Sequence, residues 1–153
     1  MTQLAAVSAL DLSATAPTLE EAFPQADPGA KPFGSGVLIQ LRTPRKFTTA
    51  GIALPVQTQD QEKWMTTIGR LVSVGPLAFK DRDDPSRVWP EGMWAQVGDY
   101  VRCPKWGGDR WEIDTGKTYP GDREKIMARF VIYRDRELLA LITGDPLAFV
   151  DYV

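Results

Sequence analysis

The sequence predicts an all-β protein: a small, irregular barrel or sandwich of short strands, preceded by an extended N-terminal arm. Three observations lead there. Apolar and polar residues alternate in several short stretches, the period of a half-buried strand. Thirteen Gly and 12 Pro in 153 residues separate those stretches. No long window carries the apolar period of a helix, apart from weak pieces near the N-terminus. A composition of 43% hydrophobic and 25% charged residues fits a globular chain with a core of its own.

Residues 1–33 read as the arm. Pro17, Pro24, Pro28 and Pro32 rule out a long helix and a central strand. Thr18 with Glu21 has the spacing of a capping box, so one short helix fits there. Two readings are open for this segment: a flexible tail, or an arm that orders only against a partner.

The barrel is expected over residues 34–143. Its first strand is GVLIQLR, 36–42, with one apolar and one mixed face. A long polar stretch follows over 43–66, interrupted by the apolar island Gly51-Ile52-Ala53-Leu54-Pro55. The next strand is TIGRLVSV, 67–74, closed by Gly75-Pro76. Residues 80–96 read as a surface excursion, since the DRDDP run and Pro90–Gly92 are turn chemistry. Short strands are expected at Tyr100–Cys103 and Trp111–Ile113, with Trp106-Gly107-Gly108-Asp109 as a turn between them. A polar insertion spans 114–127, strands resume at 129–133 and 137–142, and Arg134-Asp135-Arg136 turns the chain between these two. Residues 144–153 form a C-terminal extension apolar enough to need cover.

Composition removes most catalytic equipment. There is no histidine and a single cysteine, so nucleophile–histidine pairs, histidine ligands, cysteine zinc sites and internal disulfides are excluded. Cys103 reads as a small packing residue. Asp81, Asp83, Asp84, Asp109, Asp114 and Asp122 sit in turn-like sequence, where a carboxylate bonds nearby backbone. The glycines at 34–36 and 107–108 lack the Lys-Ser/Thr and the helix of a phosphate loop. The net charge of −2 argues against nucleic acid as a partner. Trp64, Trp89, Trp94, Trp106 and Trp111 therefore read as core or subunit-interface residues rather than a stacking platform. No apolar run is long enough to span a bilayer, and Asp11 interrupts the only candidate signal core, so a soluble, cytoplasmic protein is expected, with no membrane partner. No enzyme activity, metal or cofactor is expected.

The island at 51–55 carries the sharpest functional signal. Two large aliphatics inside a long polar stretch cost solvation unless a partner groove or an extra strand of the barrel receives them. Taken in order, the strand GVLIQLR, the island AGIALP, the strand TIGRLVSVGP, QVGDYVRCPKWGGDRWE and FVIYRDRELLALI resemble the GroES-like co-chaperonins over residues 33–142. In that family a G-I-x-L loop docks on the chaperonin ring, which the resemblance carries to Gly51, Ile52, Ala53 and Leu54, with Pro55 following. The family's V-G-D corresponds to Val97, Gly98 and Asp99, and its Y-G-G turn to Trp106, Gly107 and Gly108 after Pro104, with Trp in place of Tyr. The closing acidic–apolar strand corresponds to Glu137–Ala140.

The resemblance implies a Greek-key-like GroES-type barrel and a homo-oligomeric ring, typically a heptamer closed by edge-strand pairing. It implies a chaperonin ring as partner and nucleotide acting on the chaperonin alone. The N-terminal arm, the 114–127 insertion and the C-terminal extension are departures from compact members, as is the small Ala53. They are similar to extensions of bacteriophage-encoded members. They therefore raise a second expectation, a capsid cement or decoration protein whose arms grip the major capsid protein in the virion.

Overall fold

The computed structural model describes residues 18–43, 66–118 and 124–149. Within them lie one short helix, α1 (Leu19–Ala22), and six strands: β1 (Gly36–Leu41), β2 (Ile68–Val74), β3 (Tyr100–Arg102), β4 (Asp109–Thr118), β5 (Lys125–Arg134) and β6 (Ala140–Leu141). The strands make one antiparallel sheet in the order β4-β5-β1-β2-β3-β6. The all-β, GroES-type fold expected from the sequence is the fold observed.

β1 is the axis of the sheet. Val37 pairs with Tyr133 of β5 on one side and Val74 of β2 on the other, and a bulge between Leu38 and Ile39 adjusts the second ladder. Its alternation feeds two cores. Val37, Ile39 and Leu41 point inward with Leu71, Val101, Cys103, Val131 and Tyr133. Leu38 points outward with Ala128 and Phe130. The outer face is also closed, by the arm: Ala26 packs on that cluster, and the Trp111 Nε1 donates to Pro28 O at 2.8 Å. Gln40, 1% exposed, keeps its hydrogen bonds because its Nε2 donates to Pro24 O at 2.6 Å and its Oε1 accepts from Arg70 at 3.2 Å. The strand expected to show one mixed face is thus buried on both. Within residues 18–33, Ala22, Phe23, Pro24 and Pro32 are buried against the chain's own barrel, while Phe33 is exposed. α1 begins as its spacing predicts, with Thr18 Oγ1 accepting from Glu21 N at 3.2 Å.

Three stretches differ from the sequence reading. Residues 80–96 are more than a surface excursion: 82–88 are exposed, but Trp89 and Ala95 belong to the inner core with Trp94 against them. Phe79, Trp89 and Trp94 interlock with ring centroids 4.5–6.4 Å apart and cap that core. The core role read for Trp89 and Trp94 from their type is the one observed, although the stretch around them reads as surface. The 114–127 stretch is strand in both arms, because β4 runs to Thr118 and β5 starts at Lys125. Beyond the barrel this hairpin has no core face, so no alternation marks it. Asp114 stabilises its kink: its carboxylate accepts from Gly116 N at 2.8 Å and meets Lys125 Nζ at 3.1 Å, and both hold its pKa below the usual carboxylate value. The expected strand at 137–142 is reduced to Ala140–Leu141, and the chain first makes a 3-10 turn at Asp135–Glu137. Buried Asp135 is the cause: its carboxylate accepts from Phe79 N at 2.9 Å and Arg136 N at 2.8 Å. Phe79 is thereby held in its left-handed conformation (φ 60°). Of the tryptophans, Trp89, Trp94 and Trp111 pack as core, Trp106 is 66% exposed, and Trp64 lies outside the described residues.

Two measurements check this packing. A Cβ at Gly75 would sit 2.2 Å from the Gly34 carbonyl oxygen, a backbone group that no rotamer change can move. Gly75→Ala should cost about 2–4 kcal/mol in urea unfolding, whereas Gly144→Ala, where a Cβ meets nothing within 4 Å, should stay within about 0.5 kcal/mol of the parent. Tyr133 supplies a pH test. Its hydroxyl donates to Pro104 O at 2.7 Å and accepts from Arg110 Nη2 at 2.5 Å, and burial first, then the neighbouring Cys103, push its pKa up to about 12. The fold favours the neutral phenol, so that stability is complete below pH 10 and lost as pH rises from 10 through 12. Tyr133→Phe should cost about 1 kcal/mol at pH 7. Its stability deficit relative to the parent should shrink above pH 10, read from unfolding curves at a series of pH values.

Candidate docking site

Gly51, Ile52, Ala53, Leu54 and Pro55 lie outside the described residues. The structure describes the positions that flank the segment holding them. The chain leaves the sheet at Thr43 and returns at Thr66, and these roots adjoin because β1 and β2 are antiparallel neighbours. Arg42 N donates to Ile68 O at 2.9 Å, Cys103 N donates to Thr67 O at 2.8 Å, and Arg129 Nη2 donates to Arg42 O at 2.9 Å. Thr66 and Thr67 are each 3% exposed. Residues 44–65 therefore start and finish at one end of the sheet, on rigid supports.

Both terminal extensions reach that end. Ala22 and Phe23 from the arm form a small core with Ile68 and Ile142, and Tyr100, Leu147 and Phe149 pack against it. Phe23 and Tyr100 lie with ring centroids 5.1 Å apart. Ala22 O accepts from Thr43 N at 2.8 Å. The Arg42 Nη1 donates to Pro146 O and Phe149 O, both at 2.8 Å, and the Arg102 guanidinium lies 5.8 Å from the Phe149 ring centroid.

The other motif positions have structural work. Gly98 (φ 100°) lets the Val97-Gly98-Asp99 turn hook onto β2, with Gly98 N donating to Leu71 O and Leu71 N to Asp99 O, both at 2.8 Å. Gly108 (φ 73°) closes the Trp106-Gly107-Gly108 turn, where a Cβ would come within 2.5 Å of Val131 Cγ2. That turn is pinned by Tyr133, whose hydroxyl reaches Pro104 O and, at 3.2 Å, Trp106 O.

The sheet ends on β4 and β6, and no ladder joins them among the described residues. Beside β6 the surface is apolar: Leu139 is 66% and Leu141 47% exposed, bordering an open groove of about 320 Å³ shared with Trp94 and Val101. Phe33, three residues before β1, is 94% exposed. The alternation of 137–142 foretold apolar residues there but not that two would face outward, and Phe33 went unnoticed behind the prolines of the arm. Among the described residues no three His, Cys, Asp or Glu side chains group as metal ligands, and no helix is long and apolar enough to cross a membrane. Among the described residues the exposed apolar surface lies beside β6 and at Phe33.

The family model for the Chaperonin 10 Kd subunit matches residues 29–142. No curated protein matches the chain. The matched span runs from the end of the arm through β6, covering the six strands, both root positions, the Val97–Asp99 turn and the glycine turn at 107–108. It is about three quarters of the sequence, and the chain belongs to the chaperonin 10 kDa subunit family, the GroES-like co-chaperonins.

Proposed function

We propose that this chain is a non-enzymatic co-chaperonin that assembles into a ring and caps a chaperonin chamber through Ile52 and Leu54. The family match over residues 29–142 carries this reading, and the frame described above supports it: the segment holding the apolar island is delivered from a rigid, clamped base. Ile52 and Leu54 enter an apolar groove on the chaperonin. Ordering of the segment keeps each contact weak, and several copies in one ring make the sum sufficient. Nucleotide acts on the chaperonin.

Ring assembly draws on two separate surfaces, the β6 edge with Leu139 and Leu141 and the exposed Phe33. Two unlike patches on one chain give a head-to-tail contact, the kind that closes into rings. Burying β6 also removes an unpaired strand edge. The alternative of a capsid decoration protein draws no support from Ala22, Phe23, Pro24 and Ala26 of the arm, which pack on their own barrel.

Two experiments test the reading. Ile52→Asp with Leu54→Asp should abolish capture by an ATP-loaded chaperonin ring while leaving the circular dichroism spectrum unchanged; undiminished capture contradicts docking through the island. Leu139→Glu with Leu141→Glu should convert the assembly to monomers in analytical ultracentrifugation, and an unchanged sedimentation coefficient contradicts assembly through β6.

A further inference from the structure

Where β1 starts and β5 ends, the surface opens into a cleft of about 720 Å³. Its walls are the Gly34–Gly36 turn, Leu77 with Lys80–Arg82, and the 3-10 turn Asp135–Glu137. Hydrogen bonds tie these walls to one another. Leu77 N donates to Gly34 O and Asp135 N to Ser35 O, both at 2.9 Å, and Phe79 N donates to the Asp135 carboxylate at 2.9 Å. Asp81 N donates to Arg87 O at 2.7 Å and Lys80 bridges to Val88, so the stretch that carries Arg82 is fixed as well. The cleft is preformed, and its volume falls in the range of ligand sites, roughly 300–1,000 Å³.

Charge sets this cleft apart from the apolar groove beside β6. Lys80, Arg82, Arg134 and Arg136 line it, together with the acids Asp81, Asp135 and Glu137. Each acid already holds a backbone donor: Asp81 takes Asp83 N at 2.8 Å, Glu137 takes Arg134 N at 2.7 Å, and Asp135 takes Phe79 N and Arg136 N. Among the described residues no ion pair joins any of the four cations to a carboxylate. Four cations against three acids leave a positive surplus in a chain whose net charge is −2. The Arg136 guanidinium lies 5.4 Å from the Trp89 ring centroid, a contact that positions it without neutralising it. Leu77, 45% exposed, adds apolar surface to the same walls. Phe33, given above to ring assembly, also borders the cleft, which therefore lies beside that contact.

We propose that this cleft binds an acidic, extended segment of a partner protein. Carboxylates of the segment pair with Lys80, Arg82, Arg134 and Arg136, and a large aliphatic side chain between them covers Leu77. Three of the four cations are arginines, whose planar fork meets a carboxylate through two hydrogen bonds. The cations stand on three elements: Lys80 and Arg82 before the exposed 82–88 tip, Arg134 at the end of β5 and Arg136 in the 3-10 turn. That spread calls for several carboxylates along a chain rather than one small anion. Preformed walls leave the ordering cost to the incoming segment alone. This surface is separate from residues 51–55 and does not depend on the docking role given to them.

The test uses the full chain and a rhodamine-labelled peptide, Glu-Asp-Leu-Asp-Glu, read by fluorescence anisotropy. The peptide should bind, more weakly as salt is raised. Arg82→Gln with Arg136→Gln should lower its affinity about tenfold, as should the neutral peptide Gln-Asn-Leu-Asn-Gln. Amide hydrogen exchange should slow at Gly34–Gly36 and Arg134–Glu137 when the acidic peptide is bound. Absence of binding, equal binding of the neutral peptide, parent-like affinity in the double variant, or protection confined to another surface overturns the proposal. Ready displacement by inorganic phosphate, with no loss when Leu in the peptide is replaced by Ala, marks a simple anion site and overturns it too. So does a peptide that breaks the assembly in analytical ultracentrifugation, which assigns the cleft to a second copy of the chain. If the double variant fails to fold, Arg82→Gln alone, an exposed position, decides the question by the same readout.

Discussion

A strand with no solvent face must be covered twice, and β1 is such a strand. It is buried from Val37 through Leu41, paired on both edges, and contributes to both the inner and the outer core. The inner side is satisfied by the barrel and by the aromatic cap of Phe79, Trp89 and Trp94. The outer side includes Gln40, a polar residue whose burial is tolerable only with hydrogen-bond partners. Pro24 of the arm supplies one and Arg70 the other. Much else follows from that requirement: the arm must cross the sheet, α1 and Phe23 reach the far end, and the C-terminal extension finds an apolar surface there.

The same requirement links fold to function. The end of β1 is both the place where the arm and the C-terminal extension meet and the place where residues 44–65 leave. A barrel whose central strand is fixed on every side gives the segment a firm base. The opposite end is closed by aromatic packing and by Asp135, which takes up the backbone of Phe79 and bends the chain into the 3-10 turn before β6. That turn leaves β6 short and its leucines outward, a surface suited to a neighbouring copy rather than to water.

Much of this was legible in the sequence because alternation marks strands that have a core side. β1, β2 and β3 were placed within a residue or two, and the Thr18–Glu21 cap was readable from spacing alone. What escaped lacked that signal. The outer half of the β4–β5 hairpin does not alternate, with Asp114–Thr118 lacking apolar residues and Ile126 and Met127 adjacent, so no period distinguishes strand from loop there. Trp89 and Trp94 read as core or interface residues from their type, but the turn residues around them give no sign of which part of the core they close. Arg42 bonds the carbonyls of Pro146 and Phe149, more than a hundred residues away, a pairing that no local pattern encodes. The island at 51–55 stands out in the sequence for the opposite reason, because its apolar residues are set in a polar stretch, and it lies outside the described residues.

Non-enzymatic capping of a chaperonin chamber through the 51–55 island is tested most directly by a cryo-EM reconstruction of the chain mixed with a chaperonin ring and ATP. The expected result is a chamber capped by a ring of this chain, with Ile52 and Leu54 seated in apolar grooves of the chaperonin. An uncapped chamber, or a cap held through another surface, would contradict it.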